Sequence, residues 1–482
     1  MRIFLWTLVL SHILATQLFA HSGKPKYHVI IDTDGALDDM RSITMFLSCN
    51  DIRVLAITCS QGTLLPDTIC DKVESLLYTF HHEGIPIGVG DETKQELPVW
   101  SPFAQGITWG GIPKNETQSS RESSNVVLER TTENYRNKIT LIALGSLKTY
   151  ADWVKSDTTI LEKIDKIIWY NNPEIEDGFN YKASPESFNY IKQTGIDLVI
   201  VGNNSDKFTI DKTYLDLLKE TNSPYAQQIV KVHSQAEIKK RIEQGHLKFW
   251  DDIIPLYLTV PLLFEVETRN NIKFVKLNQS IPESFINEVC STLLQSATTT
   301  NNRVFNTFPV DTTLYKPEYA KILHQTIEAY GAIEWKAICM TNEIHGHTGI
   351  YSIIGAKMGV RAMEYFNVGI NNMDVTTYAG NKPPLSCLND GIQISTGCTI
   401  GQGLITIADS ISVIPTVVFE FNRQKVHISV KQEVTKQIQE DIKYGVKTYG
   451  LLSEQYWIYI EELAIKYWST YNRYDIFDFE IL

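Results

Sequence analysis

Four carboxylates lie within eight residues of one another at Asp32, Asp34, Asp38 and Asp39, directly after the apolar run Tyr27-His28-Val29-Ile30-Ile31. Gly35 permits a tight turn between the two pairs, and a segment of helical period starts at the second pair. Like charges packed so closely disfavour one another's ionisation, so a positive partner belongs among them. A hard divalent cation accepting six to eight oxygens meets that need, and calcium suits a mixture of carboxylates, carbonyls and waters. The plainer reading is a strand end followed by a helix cap, with Asp38 or Asp39 accepting helix N–H groups. That reading accounts for one or two acids and leaves the others unexplained.

A second group of ligand-type residues lies far downstream: His345-Gly346-His347, then Cys387-Leu388-Asn389-Asp390 and Gly397-Cys398-Thr399. Two histidines, two cysteines and an aspartate suit zinc or a related transition metal. The spacing is not that of a zinc finger. Buried cysteines and a helix-capping histidine are the structural alternative.

The elements that must position these residues follow from apolar periodicity. Short buried strands are expected at His28 to Ile31, Val54 to Thr58, Ile139 to Ala143, Lys166 to Trp169 and Leu198 to Val201. Helical segments, such as Asp39 to Leu47 and Asp71 to Phe80, alternate with them. This alternation predicts an α/β domain with a mainly parallel sheet flanked by helices, whose ligands collect at the carboxyl ends of the strands. The polar run Thr298-Thr299-Thr300-Asn301-Asn302 breaks the pattern, so a boundary is expected between Thr298 and Lys316, with domains at 26–310 and 317–482. A helix is expected around Pro317 to Tyr330, and the Tyr- and Trp-rich tail from Tyr444 to Tyr474 reads as helices with aromatics turned to a core.

Here the residues resemble a known family. The D-x-D-x-x-x-D-D pattern of Asp32 to Asp39 is similar to the signature of the inosine-uridine-preferring nucleoside hydrolases, and three further segments follow in family order. They are Leu141-Ile142-Ala143-Leu144-Gly145, Gly178-Phe179-Asn180 with Ser184-Pro185-Glu186, and Trp250-Asp251-Asp252. The resemblance implies a calcium cage of Asp34, Asp39, Asp251 and the Leu144 carbonyl, with Asp34 as the base that takes a proton from the attacking water. It implies that Asp38 and Asn180 hold ribose hydroxyls. Trp250, where the inosine-uridine group has a histidine, and Trp109 are expected to stack on a base, which points to a purine ribonucleoside. Gly178 departs from the Glu that the family often carries there, and Ser60-Gln61-Gly62 departs from its Gly-Asn pair.

A rival resemblance, of Asp32-Thr33-Asp34-Gly35-Ala36-Leu37 to the nucleophile loop of haloacid-dehalogenase-like phosphatases, would make Asp32 a phosphoryl acceptor. The Asp251 motif has no place in that scheme. The segment from Tyr319 to Ile411 resembles the FmdE family, an α+β second domain, in which His347, Cys387 and Cys398 are expected to hold a metal such as zinc. Gly349-Ile350-Tyr351 stands where that family has Cys-Pro-Gly.

The whole chain narrows the partners. A formal net charge of -12, with 43% apolar and 21% charged residues, argues for a globular protein and against nucleic acid, whose binding needs clustered Lys and Arg. A small-molecule nucleoside is the expected partner, and the resemblance implies a homo-oligomer. Residues 1–20 read as a signal peptide, Arg2 followed by an apolar run to Leu10 and Ala20 before polar residues, so a periplasmic or secreted location without stable membrane insertion is expected. Seven cysteines without a C-x-x-C pair do not form a disulfide framework, and Cys49, Cys59 and Cys70 read as buried fillers. The alternative to an enzyme is a non-catalytic protein that binds metal and a ribosyl ligand.

Overall fold

The structure is a computed structural model that describes residues 25–111, 121–203, 207–300, 302–409 and 412–482. The expected signal peptide lies outside the described residues. No helix among the described residues is long and apolar enough to cross a membrane. Contacts divide the described chain into two compact units, Pro25–Ala297 and Thr298–Leu482.

The first unit is built on eight strands: β1 Tyr27–Thr33, β2 Ile52–Cys59, β3 Ile87–Val89, β4 Ile139–Ala143, β5 Ile164–Tyr170, β6 Leu198–Val201, β7 Phe264–Arg269 and β8 Ile272–Leu277. Their order is β3-β2-β1-β4-β5-β6-β8-β7, and every pair is parallel except the terminal β7–β8 hairpin. β2 and β4 are buried along their whole length, as continuous Val, Ile and Leu runs require when helices cover both faces. All five expected strands form, each within one or two residues of the expected span. The sequence reading missed the three-residue β3 and the hairpin, whose β7 is exposed from Glu265 onward and carries no apolar signal.

Seven helices matter to the site: α1 Leu37–Ser48, α2 Pro66–Thr79, α3 Ser101–Gly106, α4 Phe179–Ala183, α5 Pro224–His233, α6 Ala236–Glu243 and α7 Ile253–Thr259. α1 follows β1 after a turn in which Gly35 takes φ +82°, a left-handed conformation that also keeps Ile69 of α2 clear of any side chain there. Strand β1 lies inside the sheet between β2 and β4, so its carboxyl end, and the acids that follow, open onto the ligand side.

The second unit has a five-stranded sheet of β9 Asp374–Thr377, β10 Ile405–Ile407, β11 Thr416–Phe421, β12 Gln424–Val430 and β13 Phe477–Ile481, in the order β10-β9-β11-β12-β13. Helices α8 Ala332–His345, α9 Ile350–Phe366, α10 Leu388–Thr396, α11 Gln432–Tyr449 and α12 Glu454–Thr470 accompany it. The α+β class is as expected, while the helix anticipated from Pro317 to Tyr330 is two pieces, Pro317–Ala320 and Leu323–Tyr330. In the aromatic tail Tyr456, Tyr467 and Trp468 turn inward as expected, but Tyr444, Tyr449 and Trp457 are exposed. All seven cysteines are free, and Cys49, Cys59 and Cys70 are buried.

Candidate active site

Asp38 and Asp39 enter at the first turn of α1, where the helix dipole favours negative charge. Neither caps the helix: the cap position is Ala36, and it makes no side-chain bond. Asp39 instead reaches back, its Oδ2 accepting from Thr33 Oγ1 at 2.7 Å and from the Asp34 backbone N–H at 2.9 Å. The plainer capping account of these acids therefore does not hold. Asp251, 212 residues further on, arrives just before α7, and Ser42 of α1 donates to its carbonyl at 3.0 Å.

Carboxyl oxygens of Asp38, Asp39 and Asp251 all lie within 4.8 Å of one another, the one such metal-type cluster among the described residues. Asp34 stands beside them. The tightest trio thus contains Asp38, read from the sequence as a ribose ligand, in place of Asp34. The reason is local: residues 38 and 39 leave the same helical turn and present their carboxyls to the same end, whereas Asp34 belongs to the preceding loop.

Burial raises all of these carboxyls. Asp39 is pushed up to about 7 by burial and then by Asp38. Asp34 is raised well above its usual value by burial and by Asp39, and Asp251 by burial and then by Asp38 and Asp39. Oδ1 of Asp34 and Oδ1 of Asp251 are buried without a hydrogen-bond partner. Native structures rarely leave such atoms orphaned, so they point to a missing positive ligand. Room for Asp34 is made by two glycines: a methyl on Gly62 would fall 2.4 Å from its Oδ2, and one on Gly145 3.0 Å from its Cβ. Gly62 is one of the positions where this chain departs from the family pattern.

Asp32 behaves differently. Its two oxygens accept from Thr58 Oγ1 and Ser60 Oγ, each at 2.6 Å, it is wholly buried, and burial lifts it to about 6. With both oxygens held by hydroxyls and no place in the lining of the cavity described below, Asp32 does not present the nucleophile that the phosphatase reading requires.

Leu144 follows β4, and its carbonyl accepts from the Asn180 side-chain amide at 2.6 Å. Asn180, on α4 and 8% exposed, also donates to the Tyr170 carbonyl at 3.0 Å. A carbonyl oxygen has two lone pairs, so this bond leaves one for a cation. Gly178 has a steric reason: a methyl there would lie 1.9 Å from Asn171 Oδ1. Asn171 thus fills the place that a Glu at 178 would need.

These groups line the floor of a cavity of about 500 Å³ that includes Asp34, Asp38, Asp39, Leu144, Asn180 and Asp251. Trp250 is in its wall, as expected of a stacking residue. Trp109 is not. It is 2% exposed, gives its carbonyl to Gln228 and meets His233 edge-on, so its expected substrate role is replaced by a packing one. Trp100 supplies a wall instead, edge-on to Phe179 at 5.0 Å. Phe103, Arg241 and His246 also face the cavity. They carry no local motif, and only the packing of α3 and α6 brings them to the site.

In the second unit His347, Cys387 and Cys398 do not form a three-ligand cluster. Cys398 follows Gly397, whose φ of +70° turns the chain inward, and its thiol donates to the Met373 carbonyl. His347 is exposed, its ring 4.4 Å from that of His345 and 5.4 Å from that of Trp457. Among the described residues, the three expected ligands are therefore not brought together as one cluster. His345 is paired instead, through Nδ1, with Asp390 at 2.7 Å.

Comparison with known proteins gives two family matches: residues 29–277 match the model described as inosine-uridine preferring nucleoside hydrolase, and residues 344–471 the one described as FmdE, molybdenum formylmethanofuran dehydrogenase operon. Among curated relatives, uridine nucleosidase 1 of Arabidopsis thaliana is 25% identical over 190 residues, 36% of this chain and 56% of that protein. A pyrimidine-specific ribonucleoside hydrolase of Shewanella baltica is 23% identical over 188 residues, 36% of this chain and 58% of that protein. The chain thus spans less than two thirds of the length of these relatives. Of solved structures, a purine-preferring ribonucleoside hydrolase from Gardnerella vaginalis matches at a TM-score of 0.48 and 14% identity, over 56% of this chain and 99% of that one. A plant nucleoside hydrolase matches at 0.45 and 20%, over 57% and 99%.

Proposed function

Because the chain belongs to the inosine-uridine preferring nucleoside hydrolase family, whose model covers residues 29–277, we propose that its first unit hydrolyses the N-glycosidic bond of a ribonucleoside to ribose and free base. The observation that carries this reading is the convergence of buried acids, two of them with orphaned oxygens, on the floor of a cavity walled by aromatic rings.

The donor set fits calcium: carboxylate and carbonyl oxygens with no thiol or imidazole among them. Asp34, Asp39, Asp251 and the Leu144 carbonyl would hold the ion, which when bound supplies Lewis-acid polarisation of a water. Asp34, whose Oδ1 has no protein donor, takes the proton of the attacking water. Asp38 accepts from a ribose hydroxyl, and Asn180, whose two N–H groups are spent on backbone carbonyls, accepts from another through Oδ1, so that the anomeric carbon is held against the water. Charge develops on the ribosyl ring as the bond to the base stretches, and the acids beneath it favour that cationic character.

Trp250 in the wall supports a stacked purine, whereas the two curated relatives are named a uridine nucleosidase and a pyrimidine-specific ribonucleoside hydrolase. Base release from inosine, guanosine and uridine, with and without chelator, tests the reading. Turnover lost on chelation is expected; a ribosyl ligand bound without release of base would make the unit a non-catalytic binder. The leader-like residues 1–20 support export to a periplasmic or secreted location.

A further inference from the structure

Arg241 lies on the cavity wall, and among the described residues no carboxylate pairs with it. Its guanidinium is laid over the Phe103 ring at 3.7 Å from the centroid, and Phe103 also faces the cavity. A guanidinium stacked on an aromatic face keeps its N–H edge free in the ring plane and pays little entropy to use it. Phe103 comes from α3 and Arg241 from α6, whereas Asp38 and Asp39 come from the first turn of α1, Asp34 from the loop before it, Asp251 from the segment before α7 and Asn180 from α4. Ribose held at the floor therefore leaves the base pointing towards the walls.

The base must depart with the electron pair of the C1′–N bond. It leaves either after gaining a proton or as an anion whose charge spreads onto its carbonyl oxygens. A guanidinium offers five donors and no acceptor, and it stays cationic throughout the working range of pH. It answers to the second route, and it discriminates: a carbonyl oxygen is welcome, while an exocyclic amino group opposes it donor to donor.

We propose that Arg241, braced by Phe103, is the residue that binds the carbonyl oxygen of the departing base and so selects oxo-bases of either ring size over adenine. This inference rests on the hydrolase reading of the same cavity. In the step, the water oxygen bonds to C1′ as its proton passes to Asp34. The C1′–N bond breaks with its electron pair going to the base, and the negative charge grows on the carbonyl oxygen at Arg241. Solvent then returns one proton to the base nitrogen. Neither oxidant nor co-substrate is needed.

The test compares the wild-type chain with Arg241→Gln and Arg241→Lys on inosine, uridine, adenosine and 4-nitrophenyl β-D-ribofuranoside, whose phenolate leaves without help. Wild type should prefer inosine and uridine to adenosine. Arg241→Gln should lower kcat/KM for those two by about 10- to 100-fold, mostly in kcat, the range expected for one charge-assisted hydrogen bond. The nitrophenyl riboside and adenosine should change by less than about threefold, and Arg241→Lys should restore part of the loss. Equal losses on all four substrates, or none on any, would overturn the assignment while leaving the hydrolase reading intact. A wild-type chain that turns over no riboside, the nitrophenyl one included, would instead defeat the hydrolase reading and this inference with it.

Discussion

The Arg41 guanidinium meets the Asp252 carboxylate through two hydrogen bonds of 2.8 Å, with both side chains 1% exposed. The pair ties α1, which carries Asp38 and Asp39, to the segment that carries Asp251, and a third bond from Arg41 to the Lys248 carbonyl extends the tie. It keeps Asp252 occupied, so that Asp251 alone faces the cavity.

Arg41→Met should therefore destabilise the first unit by about 3–5 kcal/mol, the usual cost of stranding one member of a buried pair. Urea unfolding measures it. Arg41→Met combined with Asp252→Leu should recover much of the loss, since no charge is then left unpaired.

Asp34→Asn should reduce kcat by about 10²- to 10⁴-fold, the range for loss of a positioned base. Its fold should survive. Without a divalent cation its melting temperature should equal or exceed that of the wild type, because one of several crowded buried carboxyls is gone. The shift that calcium gives the wild type should shrink.

Gly62→Ala should cost activity through Asp34, because the added methyl falls 2.4 Å from Oδ2. A displaced carboxyl loses reach while the sheet beneath it stays folded. Steady-state rates and thermal melts of the same preparation separate the two effects.

Trp250→Ala and Trp109→Ala should part company. The first, on the cavity wall, should raise KM with little change in stability. The second empties a site that is 2% exposed, so it should cost about 3–5 kcal/mol in urea unfolding.

His233 should cost the fold stability as pH drops below about 6.5, against the opposite contribution of the buried acids, whose raised values let the folded chain take up protons first. Burial, and then Arg41, depress its folded value to about 3. Nδ1 is 2.7 Å from the Ile229 carbonyl and Nε2 is 3.4 Å from Arg41, an arrangement that suits the neutral ring. The unfolded chain binds a proton that the folded chain refuses, so this contribution is complete above 6.5 and is lost progressively towards 3. The margin of stability that the wild type holds over His233→Gln in urea unfolding should shrink as pH falls across that window.

What the sequence made legible follows its local signals. Strands such as Ile139–Ala143 are uninterrupted apolar runs, and the acids at 34, 38, 39 and 251 sit in dense motifs, so their placement at one sheet end could be read in advance. Arg241, His246, Phe103 and Trp100 could not: each looks like an ordinary residue of a surface helix or loop until packing brings it to the cavity. Trp109 failed for the converse reason, since a tryptophan before a glycine pair has the same local look whether it faces a ligand or a core. In the second unit the spacing did not show which ligand-type residues the fold brings together. His347 and Cys398 lie in recognisable motifs, but one is exposed and the other is turned inward by Gly397.

A crystal structure of the chain grown with millimolar calcium is the most direct measurement. One ion is predicted at about 2.3–2.6 Å from carboxylate oxygens of Asp34, Asp39 and Asp251 and from the Leu144 carbonyl. Density for an ion elsewhere, or the four carboxyls at positions 34, 38, 39 and 251 with none among them, would contradict the account.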